Sequence, residues 1–370
     1  MVVKNIDKPI ATTHVGAYPK PKWFSQYQLS GRDMLDVFKD QTYEQAYRDA
    51  VAAVIKDQEL AGVDIVADGK MAYDEFRGGT GWFQYTLDRV NGITGRSEEI
   101  TSIFAGHPLE VIQEMASAYG SPVATEKLSA GPMRLALEYK ISKELTDKPI
   151  KFNIGDSSII ATMILNGGPY EQQTDLIMDL AKIYNKALRE LDEAGAPFIQ
   201  TDTSPINVLP SFREVSDDEF AFFVDAFNTM FDGVKAEKWI HVCWGRLHGQ
   251  PLLGAGAERA WDIAYPHLIE TNADTVNMHM SYAGDDVLKV MGEYDTDKNI
   301  ALGAVSISSL LVESPEKIAD LLTNATKYVD PNKLYATTDC GLITIMDRTV
   351  AQFKLKSLVE GANLARKEVT

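Results

Sequence analysis

The strongest constraint on this chain is a pattern that repeats along it: an amphipathic helix that stops at a glycine, then a short apolar strand. TYEQAYRDAVAAVIKDQELAG (42–62) sets its apolar residues at three- and four-residue steps and ends on Gly62; VDIVADG (63–69) follows as a β-rich run. DLIMDLAKIYNKALRELDEAGA (175–196) and PFIQTD (197–202) repeat the pattern. WIHVCWG (239–245), ADTVNMHMS (273–281), NIALGAVSIS (299–308) and KLYATTDCG (333–341) are further strand candidates. Helical segments such as SPEKIADLLTNATKYV (314–329) separate most of them. This alternation favours a parallel sheet with helices outside. Over 370 residues it predicts one α/β domain, residues 1–370, built as a single (β/α)8 TIM barrel with insertions.

In such a barrel, polar residues at the C-terminal ends of strands face the active-site mouth. The candidate strands end in Asp68-Gly69-Lys70, Asp202, His241 and Cys243, His279, Ser308 and Cys340, a set richer in chemistry than packing requires. Two cysteines cannot make a disulfide framework, and no secretory signal opens the chain, so a cytoplasmic location with available thiols is expected. No apolar run approaches the ~18 residues of a membrane span. A net charge of −17 argues against a nucleic-acid backbone as partner.

Residues two apart on a strand face the same side, so His241 and Cys243 can direct an imidazole and a thiolate at one point. Taken alone, an H-x-C pair is more often incidental core packing than half a metal site, because free cysteine is among the most buried residue types. Cys340, in TTDCGL, adds a second thiol at a second strand end. Thiolates with imidazole select zinc over magnesium or calcium. His279 is a candidate further ligand, with a satisfied core histidine as the alternative.

TTHVGAYPKP, QELAGVDIVADG, ELDEAGAPFIQTD, HVC and LYATTDCGL, in this order, resemble the catalytic barrel of cobalamin-independent methionine synthases. The likeness spans nearly the whole chain and one barrel of that family. It implies Zn2+ held by His, Cys, Glu and Cys. The first two fall on His241 and Cys243 and the last on Cys340, while the glutamate position is occupied by His279. The implied zinc set is therefore His241, Cys243, His279 and Cys340.

Three departures bear on substrate. The family's D-G-E glutamate, which grips the homocysteine amino group, aligns with Lys70; D-E-P becomes Asp202-Thr203-Ser204; and Ser308, in VSISSLL, replaces the histidine that protonates the leaving folate. An ammonium at position 70 suits an anionic thiol. YPKPKWF (18–24) and KLKSLVEGAN (354–363) resemble patterns of the epoxyalkane:coenzyme M transferase branch.

The resemblance implies a zinc-dependent thiol alkyltransferase that adds coenzyme M to a short epoxide. Lys70, Asp202, Arg77, Arg246 and Ser308 are the candidate substrate contacts, and Tyr18 and His14 the candidate general acids. The alternative is a methyltransferase moving a methyl group from a corrinoid or folate carrier to a thiol. A non-catalytic barrel with a structural zinc is the third reading. The expected partners are small molecules, in a homo-oligomer, with neither nucleic acid nor membrane.

Overall fold

Asp40 starts the first long helix, Gln41–Ala61: its carboxylate accepts the backbone N–H groups of Thr42 and Tyr43, donors with no partner inside the helix. Gly62 ends it in the left-handed conformation at φ 90°, and between the caps Tyr43, Tyr47, Ala50, Val54 and Gln58 lie on the buried stripe. The helix Gln173–Glu193 repeats the design, burying Leu176, Leu180, Tyr184, Leu188 and Leu191. Both helices stand where the periodicity of the sequence predicts them.

The computed structural model describes Ile6 and residues 8–29, 34–73, 81–97, 121–202, 204–211, 213–243, 246–247, 250–251 and 260–369. The strands of the main sheet are β1 (Ala11–Thr12), β4 (Lys151–Gly155), β6 (Phe198–Asp202), β7 (Glu237–Val242), β10 (Thr275–Met278), β11 (Asn299–Val305) and β12 (Leu334–Thr338). Every pair is parallel, in the order β1-β12-β11-β10-β7-β6-β4. Residues 63–69 join the two ends. The N–H groups of Asp64 and Ile65 donate to Thr12 O, that of Val66 to Pro149 O, and that of Lys151 to Val66 O. Val66 faces Ile150 and Gly69 faces Ala17 as parallel bridges. The ring of eight parallel segments, wrapped by helices, is the expected (β/α)8 barrel.

Three further strands, β2 (Val90–Ser97), β3 (Ser121–Ala130) and β5 (Leu165–Asn166), make a side sheet inserted around β4. β8 (Arg246–Leu247) and β9 (Gln250–Pro251) form a small antiparallel pair. No described helix is long and apolar enough to cross a membrane.

Inside the barrel, Ala11, Ile65, Phe198, Trp239, Ala301 and Tyr335 form one buried cluster, each from a different segment of the ring. Phe198 meets Trp239 edge-on and Trp239 leans on Tyr335 at 4.6 Å between centroids. Burying a side chain such as Phe198 is worth about 1.5–3 kcal/mol. Glu237 lies beside this layer, accepting from Trp239 Nε1 at 3.0 Å, Thr275 Oγ1 at 2.7 Å and Tyr335 OH at 2.9 Å. The aromatic layer fixes which residues of each strand point inward, and so which ones reach the mouth.

Candidate metal centre

Trp239 sets the phase of β7. Because it faces the interior cluster, His241 and then Cys243 face the same way, one and two steps nearer the mouth. Cys340 arrives from just beyond the end of β12, where the Thr338 hydroxyl donates to its carbonyl at 2.8 Å. His241, Cys243 and Cys340 each place a ligand atom within 4.8 Å of the other two, the one such group among the described residues. Cys243 Sγ lies 3.2 Å from Cys340 Sγ, and both are free thiols.

Two observations test whether a metal suits this group. Among the described residues, both ring nitrogens of His241 are buried without a hydrogen-bond partner, and one unsatisfied buried polar atom costs about 1–3 kcal/mol. The Cys243 thiol, and then burial, push the Cys340 thiol well above its ordinary range. Two touching thiols resist a shared negative charge until a cation offsets it. Two sulfurs and one imidazole nitrogen are the donors a soft divalent ion takes, and zinc fits them.

The fourth expected ligand is not brought into the group. His279 Nε2 lies 3.2 Å from Asp339 Oδ2, and both side chains are fully buried. Asp339 is itself anchored by the N–H groups of Met280 at 3.0 Å and Ser281 at 2.9 Å, and by the Ser281 hydroxyl. The acid that precedes Cys340 thus engages the imidazole and ties the end of β12 to the end of β10. Among the described residues, three of the four expected donors, His241, Cys243 and Cys340, meet.

Lys70 is buried, at 1% exposure, in a left-handed conformation (φ 55°). Its ammonium lies 3.4 Å from Asp68 Oδ1 and 3.5 Å from the centroid of the Phe152 ring. It is therefore an internal cation with its own carboxylate and aromatic partner. It is not a free arm for a substrate anion. Asp202 sits at the end of β6, opposite His241 in the β6–β7 register. Gln200 Nε2 donates to its Oδ1 at 2.6 Å and Asn153 Nδ2 to its Oδ2. Burial pushes its carboxyl up, opposed by His241 and by those two amides.

The other expected site residues fall elsewhere. His14 is fully buried with Nε2 2.8 Å from Gln58 Oε1, and burial pushes its pKa down to about 3. A neutral imidazole of that kind has no spare proton to give at neutral pH, which counts against a general-acid role. Tyr18 is buried, its hydroxyl donates to Arg348 O at 3.4 Å, and burial raises its pKa; it too is a poor acid. Ser308 lies exposed in the loop after β11, its N–H on Ser306 Oγ at 3.2 Å. Arg77 lies outside the described residues, as does the side chain of Arg246.

Asp339, Gln200 and Asn153 serve the site although sequence reasoning did not single them out. For Asp339 the signal was present, an acid directly before a candidate ligand. Gln200 and Asn153 carry none beyond the inward phase of their strands.

Residues 10–364 match the family described as the cobalamin-independent synthase, catalytic domain. The methionine synthase of Saccharolobus islandicus is 28% identical over 365 residues, covering 97% of this chain and 96% of the relative. That of Sulfurisphaera tokodaii is 26% identical over 364 residues, covering 97% and 94%. Among solved structures, a B12-independent methionine synthase from Shewanella sp. W3-18-1, in complex with selenomethionine, matches in fold with a TM-score of 0.76. It is 24% identical, covering 98% of this chain and 99% of that one.

Proposed function

The chain belongs to the family of cobalamin-independent synthase catalytic domains, and from that premise we propose that it is a zinc-dependent methyltransferase acting on a small-molecule thiol. The methyl group comes from a folate or corrinoid carrier. The acceptor loses its thiol proton and gains the methyl group, and the carrier leaves with the electron pair of the broken bond. The observation that carries this reading is the meeting of His241, Cys243 and Cys340 at the barrel mouth.

These three residues would hold the metal, leaving a coordination position that a catalytic zinc site keeps for substrate and a structural site closes. Zinc bound there supplies the Lewis acidity that lets a thiol with an ordinary pKa near 8.5 ionise at neutral pH. Asp202 offers a fixed carboxylate beside the trio to hydrogen-bond donors on the acceptor. Asp339 holds the end of β12 in place, so that Cys340 keeps its position against Cys243.

A second reading, addition of coenzyme M to an epoxide, is favoured by one observation, the Lys70 ammonium where the family carries a carboxylate. Against it, that ammonium is already matched by Asp68. A substrate panel separates the two. Zinc-loaded protein would be given homocysteine or coenzyme M as acceptor, with methylcobalamin, a methyl-folate or epoxypropane as donor. Methylated thiol from either methyl donor is the expected product. A hydroxyalkyl thioether from epoxypropane alone would replace the proposal with the second reading, and no product from any pair would contradict both.

A further inference from the structure

Lys151 is an inward residue that the proposed chemistry leaves unused. It opens β4, is 0% exposed, and its ammonium lies 4.3 Å from the centroid of the Trp239 ring. Among the described residues the one hydrogen-bond partner of that ammonium is a neutral group, Gln200 Oε1, at 2.7 Å. Taking an ammonium out of water costs several kcal/mol. An aliphatic side chain would fill the same space without that cost, so packing does not explain the charge.

The contacts beyond Lys151 show where its influence goes. An ammonium has three donors and no acceptor, so the carboxamide of Gln200 must turn its oxygen toward Lys151. Asn277 Nδ2 reinforces the choice from the other side, donating to the same oxygen at 3.1 Å. The NH2 end of the amide is then committed to the mouth, where it donates to Asp202 Oδ1 at 2.6 Å and to Val15 O at 2.9 Å. Asn153, two residues along β4 from Lys151, holds the second oxygen of Asp202. We infer that Lys151 is a positioning residue: from inside the barrel it orients the Gln200 carboxamide, and through it the Asp202 carboxylate beside the metal-binding trio. Asp202 and Glu237 are the acidic groups that favour the charged form of Lys151, and burial opposes it.

The consequence for catalysis rests on the proposed thiol transfer, in which Asp202 meets the acceptor. The test uses the full zinc-loaded chain with Lys151→Met, Asp202→Asn, the double variant, and Gln200→Met, which cuts the relay while leaving both charges. Lys151→Met should keep its zinc and unfold in urea at or above the wild-type midpoint, since a desolvated charge is gone. Its apparent KM for the thiol should rise about 10- to 100-fold, the usual cost of losing a supporting partner, with the KM for the methyl donor unchanged. Gln200→Met should reproduce that split.

The double variant should be no worse than Asp202→Asn alone, because residues acting through one network do not add. Additive losses, or a wild-type thiol KM in Gln200→Met, would overturn the inference. If the wild-type protein transfers no methyl group at all, the functional reading has failed on its own account. The urea midpoints of the same four proteins then decide: non-additive shifts for Lys151 and Asp202 uphold the relay, and additive shifts overturn it.

Discussion

At Lys70 and Asp68 an ammonium and a carboxylate face each other at 3.4 Å with side-chain exposures of 2% and 0%. Deleting one member of such a pair strands the other charge in the interior, at a cost of about 3–5 kcal/mol. Lys70→Met should therefore lower stability by that amount in urea unfolding, and adding Asp68→Asn should recover most of the loss. A single variant as stable as wild type would show that the pair is not a buried one. Residue type and spacing made His241, Cys243 and Cys340 legible in the sequence as ligand candidates. The burial of Lys70 was not legible, because it depends on the turn after Gly69 and on Phe152, which arrives from β4. Nor was the engagement of His279 by Asp339, since it needs the relative positions of β10 and β12, two strands apart in the sheet.

Among the elements, β1 and β4 are the two segments of the ring that a reading of periodicity did not pick out: β1 spans two residues only, and β4 has the wrong pattern. In KFNIG the inward positions are Lys151 and Asn153 and the outward ones Phe152 and Ile154, so the strand lacks the apolar run that marks a buried parallel strand. The three helices named from the sequence, near 42–62, 175–196 and 314–329, stand in the structure because their stripes are apolar and their ends carry local signals such as Gly62. The side sheet of β2, β3 and β5 gave no comparable signal. The turn after β1 depends on Gly16, at φ 146°, where an added Cβ would lie 2.1 Å from Asn153 Oδ1. Gly16→Ala should cost about 1–3 kcal/mol through overpacking. Because Asn153 supports Asp202, it should also weaken thiol binding. Both effects can be read from one preparation by urea unfolding and steady-state kinetics. Wild-type values for both would mean that the turn has room to yield.

Across the whole molecule, burial sets how stability depends on pH. Glu138 is fully buried and its pKa is pushed up to about 7, chiefly by burial, against an ordinary value near 4.3. The folded protein therefore holds a proton that the unfolded chain gives up. The stabilisation this confers is complete below about pH 4 and is lost as pH rises through about 7. Glu138→Gln, which cannot ionise, should gain stability relative to wild type as pH rises from about 5 to about 7.5. Parallel curves for the two proteins over that window would contradict the assignment. Lys151, pushed down to about 7 by burial, works in the other sense. Its penalty is present below about pH 7 and fades toward about pH 10, as the unfolded chain alone keeps the proton.

The closed ring of parallel strands brings Cys243 and Cys340 together from positions 97 residues apart, and the proposed chemistry depends on that meeting. X-ray absorption at the zinc edge, with and without an acceptor thiol, tests it most directly. The account predicts about one zinc per chain with two sulfur neighbours at about 2.3 Å, rising to three when thiol is added, and no bound zinc in Cys243→Ala or Cys340→Ala. A sulfur count that stays at two with saturating thiol, or zinc retained in full by either variant, would contradict it.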